Sequence, residues 1–118
     1  MKKYFAVYLA PAEETKKMMA NFKPEDGQKA MEEWGKWIDA HKANLIDAGA
    51  PFGKTKRVTP QGIEDTRNDL TGYSIVQAES HDEAAKIFQD HPHYNNLPGA
   101  TIEVMEWIEM SMTPKTSA

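Results

Sequence analysis

The sequence contains no cysteine, so disulfide bonds, thiolate metal sites and a cysteine nucleophile are all excluded. It has no apolar run near the ~18 residues that a membrane span needs, and we therefore expect no membrane-spanning helix. Positive charge is not in excess, since 14 Lys and Arg residues stand against 18 Asp and Glu residues and give a formal net charge of −4. Without a basic stripe to neutralise phosphates, we expect no nucleic-acid partner.

The composition that remains is that of an ordinary globular protein, with 40% hydrophobic and 27% charged residues in a chain of 118. A chain of this length supplies one domain, which can bury a core without structural metals. We expect this domain over residues 1–110 and a flexible tail over 111–118, where Pro114 and small polar residues predominate. The apolar run at 4–9 is shorter than the ~7 to 15 residues of a signal peptide, which predicts a cytoplasmic protein with an intact N-terminus.

Hydrophobic alternation bounded by proline and glycine predicts four strands. They cover residues 4–9, 52–58, 72–78 and 101–109. The polar stretch 59–71 lacks periodicity and is expected to be a loop.

Apolar residues at steps of three and four predict helices between these strands. A short helix is expected within 12–22, and a long amphipathic helix is expected from Pro24 to a C-terminal cap at Gly49. Ser80 and Glu83 have the spacing of a capping box, which predicts a further helix over residues 81–90.

The order strand, helix, strand, strand, helix, strand predicts an α+β fold of the ferredoxin-like βαββαβ type. Two helices would then cover one face of a four-stranded antiparallel sheet and leave the other face bare. We expect the bare face to carry Tyr4, Tyr8, Met105 and Trp107. Because so much apolar surface should not stay in water, two copies are expected to pack sheet against sheet as a homodimer, in a dimeric α/β barrel.

His41 is the first candidate for a catalytic residue, because it lies on the predicted apolar stripe of the long helix and should point toward the sheet. An imidazole with an ordinary pKa of ~6.5 exchanges protons near neutrality, so His41 could act as a general base. Asp39 lies two residues away and diverges from it, so Asp69 or Glu103 would have to orient the ring. The alternative is a histidine at the edge of the core, held by a carboxylate or a carbonyl.

Aromatic and histidine side chains are the candidates for a ligand cavity, because pockets are mostly apolar with a few polar groups. These candidates are Trp34, Tyr73, His91, His93 and Trp107. The alternative is that the aromatic residues form only the core and the dimer interface. His91 and His93 lack a clear third ligand for a stable metal site, and no dinucleotide-binding or phosphate-loop motif occurs, so we expect neither a metal nor a cofactor.

Three strings, in this order, resemble the YCII-related proteins and come close to the members of DGPF type. The strings are residues 47–54 (DAGAPFGK), residues 71–84 (TGYSIV followed by AESHDEA) and residues 102–104 (IEV). The resemblance covers residues 4–110. It implies a ferredoxin-like fold that dimerises as an α/β barrel in bacterial proteins, and it does not by itself name a reaction.

The chain departs from the family pattern in two places. The aspartate-glycine-proline-phenylalanine run of the DGPF-type members is missing, and residues 64–70 read EDTRNDL. Many members end with valine, arginine and proline, where residues 104–107 read VMEW. Some YCII-related proteins carry a histidine on the first long helix and an aspartate elsewhere that look like a catalytic pair, and His41 lies on that helix here.

Two functions from different classes follow. The first is an auxiliary or regulatory protein that binds a small organic ligand in the cavity of the dimeric barrel, since no nucleophile, metal cluster or cofactor motif stands out. The alternative is a cofactor-independent enzyme of isomerase, lyase or oxygenase type, chemistries that related dimeric α/β barrels host, with His41 transferring the proton.

Overall fold

The computed structural model describes residues 1–95 and 97–110, so the tail expected over 111–118 lies outside the described residues. The elements are β1 (Lys2–Leu9), α1 (Ala12–Ala20), α2 (Pro24–His41), β2 (Leu45–Asp47), β3 (Thr55–Thr59), β4 (Gly62–Thr66), β5 (Leu70–Ala78), α3 (His81–Ile87), a 3-10 turn (Pro92–Tyr94) and β6 (Thr101–Glu106). Four strands form an antiparallel sheet in the order β2-β5-β1-β6, and β3 and β4 form a separate hairpin. The predicted ferredoxin-like α+β fold is confirmed.

The core lies between the sheet and the helices α2 and α3. Tyr4 and Tyr8 of β1 are buried there, together with Trp37 of α2 and Phe88 just after α3. The indole Nε1 of Trp37 donates a hydrogen bond to the carbonyl oxygen of Ile87 at 3.0 Å. This bond joins the two helices, and it satisfies a polar group that would be costly to bury unpaired.

The opposite face of the sheet, called the outer face below, carries an apolar surface. Its members are Phe5, Phe52, Tyr73, Ile75, Met105 and Trp107. The ring of Phe5 stacks on that of Tyr73 at 5.6 Å and meets that of Trp107 edge-on at 6.3 Å. The expectation that Tyr4 and Tyr8 lie on this face is wrong. Both sides of β1 are apolar, so alternation alone does not say which side the helices cover.

The long helix ends at His41 rather than at Gly49, so its predicted end is wrong. The next residues turn, and Leu45–Asp47 pairs with β5 as an edge strand. Asn44 secures this pairing, because its carbonyl oxygen accepts from the backbone N–H of Gln77 at 2.8 Å and its side-chain amide donates to the carbonyl of Gln77 at 2.9 Å. These long-range bonds override the helical spacing of the apolar residues.

The polar stretch 59–71 is not a loop, because it contains β4 and the start of β5. β3 and β4 pair in register, and ion pairs cross between them from Lys56 to Asp65 at 2.6 Å and from Arg57 to Glu64 at 3.1 Å. The strand predicted over 52–58 is therefore part of this hairpin. The position that we expected it to occupy in the four-stranded sheet is taken by β2. The hairpin exposes both its faces, so no hydrophobic period marks it in the sequence.

The helix α3 begins as the sequence predicts. The hydroxyl oxygen of Ser80 accepts a hydrogen bond from the backbone N–H of Glu83 at 3.2 Å, which is one half of the expected capping box. The helix then ends at Ile87, before the predicted limit. Within the described residues, no helix is both long and apolar enough to cross a membrane.

Candidate functional site

A wide cleft of about 1570 Å³ opens between the helices α1 and α2, the base of the β3–β4 hairpin and the 92–94 turn. Its apolar wall consists of Met18, Met19, Phe22, Trp34, Phe52, Leu70 and Leu97. Phe52 lies at the border of the two surfaces, because its ring also stacks on that of Tyr73 on the outer face at 5.9 Å. Ligand pockets in proteins usually measure ~300 to 1,000 Å³. The cleft therefore has room for a small organic molecule, with space to spare.

His91 lies behind the cleft wall in a cluster of aromatic rings and is only 1% exposed. The ring centres of Tyr8, Trp34 and Trp37 lie 4.8, 4.4 and 4.3 Å from that of the imidazole. Nδ1 accepts a hydrogen bond from the backbone N–H of His93 at 2.9 Å, so the proton of the neutral ring is on Nε2. Among the described residues Nε2 has no hydrogen-bond partner.

Burial keeps His91 uncharged. Its pKa is lowered to about 3, mainly because burial removes the ring from water and also because positive charge on the nearby His93 and His41 would repel a proton on His91. His91 is therefore neutral at pH 7 and stays in one tautomer. Its position suits a residue that supports His93 rather than one that transfers a proton.

His93 lines the cleft, although only 6% of its surface is exposed. Its Nε2 lies 2.9 Å from the carbonyl oxygen of Leu9, which can only accept, so Nε2 carries the proton and Nδ1 has the lone pair. Burial lowers the pKa of His93, and hydrogen bonding to the carbonyls of Leu9 and Thr101 opposes this in part. At neutral pH the ring is thus uncharged and can accept a proton or a hydrogen bond.

Trp34 connects the cleft to the buried cluster. It lies three residues before Trp37 on α2, so the two indoles share one side of the helix. Trp34 lines the cleft, and its ring meets that of Tyr8 edge-on at 5.2 Å. The side-chain amide of Asn95 donates to the carboxylate of the neighbouring Glu33 at 3.1 Å, which ties α2 to the end of the 92–94 turn.

Two hydrogen-bonded hydroxyl groups lie beneath this cluster, and no sequence pattern indicates them. Ser74 donates from Oγ to the carbonyl oxygen of Ala48 at 2.7 Å, so the hydroxyl of Tyr8 must donate to Ser74 at 2.6 Å. Burial raises the pKa of Tyr8 to about 12, even though the hydrogen bond with Ser74 lowers it. Tyr8 stays protonated and acts as a donor that fixes the sheet under the site.

The structure does not bring together the three candidate catalytic residues. His41 is half-buried, with its ring 5.4 Å from that of Trp37, and it is not among the described residues that line the cleft. The Asp69 carboxylate accepts from the backbone N–H of Ala12 at 3.0 Å, so it caps the start of α1. Glu103 is exposed on β6, on the side of the sheet away from α2. No hydrogen bond or ion pair joins the three within the described residues.

The five candidate ligand-binding residues separate into three places. Trp34 and His93 line the cleft, and His91 lies directly behind them. Tyr73 and Trp107 lie on the outer face instead. The Tyr73 hydroxyl donates to the Asp47 carboxylate at 3.0 Å, and this bond raises the pKa of Tyr73.

In the part of the chain that the structure describes, no group of three or more His, Asp or Glu residues is placed to hold a metal ion.

Comparison with known proteins places the chain in a family. The model of the YCII-related domain matches residues 4–108. No curated protein matches the chain. Among solved structures, the chain is similar in fold to the 5-chloro-2-hydroxyhydroquinone dehydrochlorinase (TftG) from Burkholderia phenoliruptrix AC1100, in its complex with 2,5-dihydroxybenzoquinone. The TM-score is 0.51 at 14% identity, and the match covers 92% of this chain and 95% of the other. Closeness to the DGPF-type members stays a prediction, but the family match spans nearly the whole chain, which therefore belongs to the YCII-related family.

Proposed function

We propose that this YCII-related protein binds a small organic ligand in the cleft, in an auxiliary or regulatory role. The observation that carries the proposal is the pairing of Trp34 and His93 on the cleft wall. An indole offers an apolar ring face, and a neutral imidazole offers one polar atom, which is the usual make-up of a ligand pocket. The dehydrochlorinase of similar fold was solved with a six-membered ring compound, which supports a ligand of that size.

Two measurements test this proposal. Native mass spectrometry of the purified protein, followed by denaturation of the same sample, identifies any molecule that the protein retains. Titration with 2,5-dihydroxybenzoquinone, followed by amide NMR, shows where such a ring binds. We expect the shifted amides to belong to cleft residues such as Thr55 and Arg67.

Two tryptophan variants locate the binding site. Trp34→Ala should weaken binding of the quinone about tenfold or more, which corresponds to ~1.4 kcal/mol of lost ring contact. Trp107→Ala removes the same side chain from the outer face and should leave the affinity unchanged. Shifts confined to the outer face would contradict the proposal, and so would a sample that retains no molecule and does not bind the quinone.

A second candidate function is a cofactor-independent enzyme of isomerase, lyase or oxygenase type that transfers a proton. The neutral imidazole of His93 on the cleft wall favours it, because a general base must lie within reach of the bound molecule. His41, oriented by Asp69 or Glu103, is the alternative base, and it would require a movement that brings these side chains together.

Isotope exchange distinguishes the two bases. The ring hydrogens of 2,5-dihydroxybenzoquinone are followed by NMR in D2O, with and without the protein. Exchange that His93→Gln abolishes and His41→Gln retains assigns the base to His93, and the reverse result assigns it to His41. If the protein binds the quinone but does not accelerate exchange, the enzyme candidate fails and the binding function stands.

We also propose that two copies pair through the outer face. The stacked rings of Phe5, Phe52 and Tyr73 and the exposed indole of Trp107 form a continuous apolar surface there. A surface of this kind usually marks an interface, because leaving it in water is unfavourable. Pairing of two such sheets gives the dimeric α/β barrel that the sequence predicts.

A further inference from the structure

The cleft differs in charge from the rest of the chain. Six lysine and arginine side chains line it, against four carboxylates. The whole chain has the opposite balance, with a formal net charge of −4. Positive charge is therefore concentrated around the proposed binding site.

Two of the four cleft carboxylates are paired with cations, and the other two accept hydrogen bonds from neutral donors and keep their charge, so the cleft has an excess of two positive charges. Glu14 pairs with Lys17 at 3.7 Å, Asp65 pairs with Lys56 at 2.6 Å, Asp26 accepts from the backbone N–H of Lys23 at 3.0 Å, and Glu33 accepts from Asn95 at 3.1 Å. The other four cations of the cleft have no ion pair or hydrogen bond among the described residues. They are Lys16, Lys29, Lys54 and Arg67.

We infer that the cleft selects organic anions, and this inference rests on the proposed binding function. The body of such a ligand would pack on Trp34 and the neighbouring apolar side chains, while its carboxylate, sulfonate or phenolate group would be attracted by the four unpaired cations. These cations lie at the surface, where salt screens charges beyond ~8 Å at physiological ionic strength. The preference for anions should therefore be strong in low salt and weak in high salt.

A pair of fluorescent probes separates charge from apolar contact. 1-Anilinonaphthalene-8-sulfonate and N-phenyl-1-naphthylamine share the same rings, and only the first carries a negative charge. In titrations of the whole chain, we expect the sulfonate to bind about tenfold more tightly in low salt, and this advantage to shrink in high salt.

Charge-reversed variants identify the cations. Lys29→Glu combined with Arg67→Glu should weaken binding of the sulfonate roughly three- to tenfold and leave the neutral probe unchanged. Lys36→Glu combined with Lys86→Glu makes the same change in net charge at exposed positions outside the cleft, and it should have little effect. Trp34→Ala should weaken both probes, which shows that they occupy the cleft.

The same measurements distinguish failure of the anion inference from failure of the proposed binding in the cleft. If Trp34→Ala weakens both probes but the sulfonate has no advantage and no charge variant matters, the anion inference is overturned and binding in the cleft stands. An equal loss in the control pair also overturns the inference, because the effect would then come from net charge alone. If Trp34→Ala changes neither probe, they bind outside the cleft and both proposals lose their support.

Discussion

The backbone N–H of His93 donates a hydrogen bond to Nδ1 of His91, and this contact determines the tautomer of His91. It places the proton of the buried ring on Nε2, and it closes the 92–94 turn so that the side chain of His93 reaches the cleft wall. His91 thus resembles a capping residue, with a ring nitrogen in place of the usual side-chain oxygen.

The stability of the protein should fall in acid partly because of His91. Its pKa is about 3 in the folded chain, whereas an unfolded histidine has an ordinary pKa of ~6.5. Between these values the unfolded chain binds the extra proton, so the free energy of unfolding decreases as the pH falls from ~6.5 toward 3. Above ~6.5 this contribution is constant.

The variant His91→Asn isolates this effect, because the side-chain oxygen of asparagine can still accept from the N–H of His93 and does not titrate. Urea unfolding at pH 7 and pH 5 should show a smaller loss of stability in this variant than in the unaltered protein. If His91→Asn loses as much stability as the unaltered protein, His91 is not the group responsible.

The hydrogen bond between Tyr8 and Ser74 should show coupling in a double-mutant cycle. Tyr8→Phe removes the donor but leaves the bond from Ser74 to Ala48, so we expect a loss of ~1 kcal/mol in the free energy of unfolding. Ser74→Ala leaves the buried hydroxyl of Tyr8 and the Ala48 carbonyl unpaired, and should cost ~1 to 3 kcal/mol. The double variant should lose less than the two single losses together. Strict additivity in urea unfolding would mean that the two hydroxyls do not interact.

Replacing glycine by alanine should change the stability of the protein in opposite directions at two positions. Gly49 has a φ of 85°, and a Cβ added there would lie 1.5 Å from the carbonyl oxygen of Tyr73. Gly49→Ala should therefore destabilise the chain by ~2 kcal/mol or more, because both the backbone and its neighbour must move. Gly35 lies within α2, where an added Cβ meets nothing within 4 Å among the described residues. Gly35→Ala should stabilise by ~0.5 to 1 kcal/mol in thermal or urea unfolding. An unchanged stability in Gly49→Ala would contradict the backbone assigned to Gly49, and a loss in Gly35→Ala would contradict the open space assigned to Gly35.

The sequence predicts the fold more fully than it predicts the site. Strand and helix periods, the cap at Ser80 and the order of elements suffice for the ferredoxin-like sheet, because these signals are local. The edge strand β2 is missed, since its three residues depend on distant pairing between Asn44 and Gln77.

Two of the candidate ligand residues, Trp34 and His93, are found in the cleft because their residue types suit a pocket wherever they occur. The supporting residues Tyr8 and Ser74 could not be identified in advance. Tyr8 belongs to a strand that is apolar on both sides, and Ser74 is a small polar residue whose partners lie far away in the sequence. A contact of that range becomes visible only when the strand register is known.

The proposed dimer through the outer face can be tested by making the same substitution at two exposed methionines. Met105 is 41% exposed on the outer face, while Met31 is 78% exposed on α2. Met105→Glu would place a carboxylate in an apolar interface, where an unpaired charge is very unfavourable, so the dimer should dissociate. Met31→Glu should leave the dimer intact. Light scattering coupled to gel filtration at micromolar concentration measures both. A monomeric parent protein would exclude the dimer, and dissociation by Met31→Glu but not by Met105→Glu would place the interface on the helices instead of the sheet.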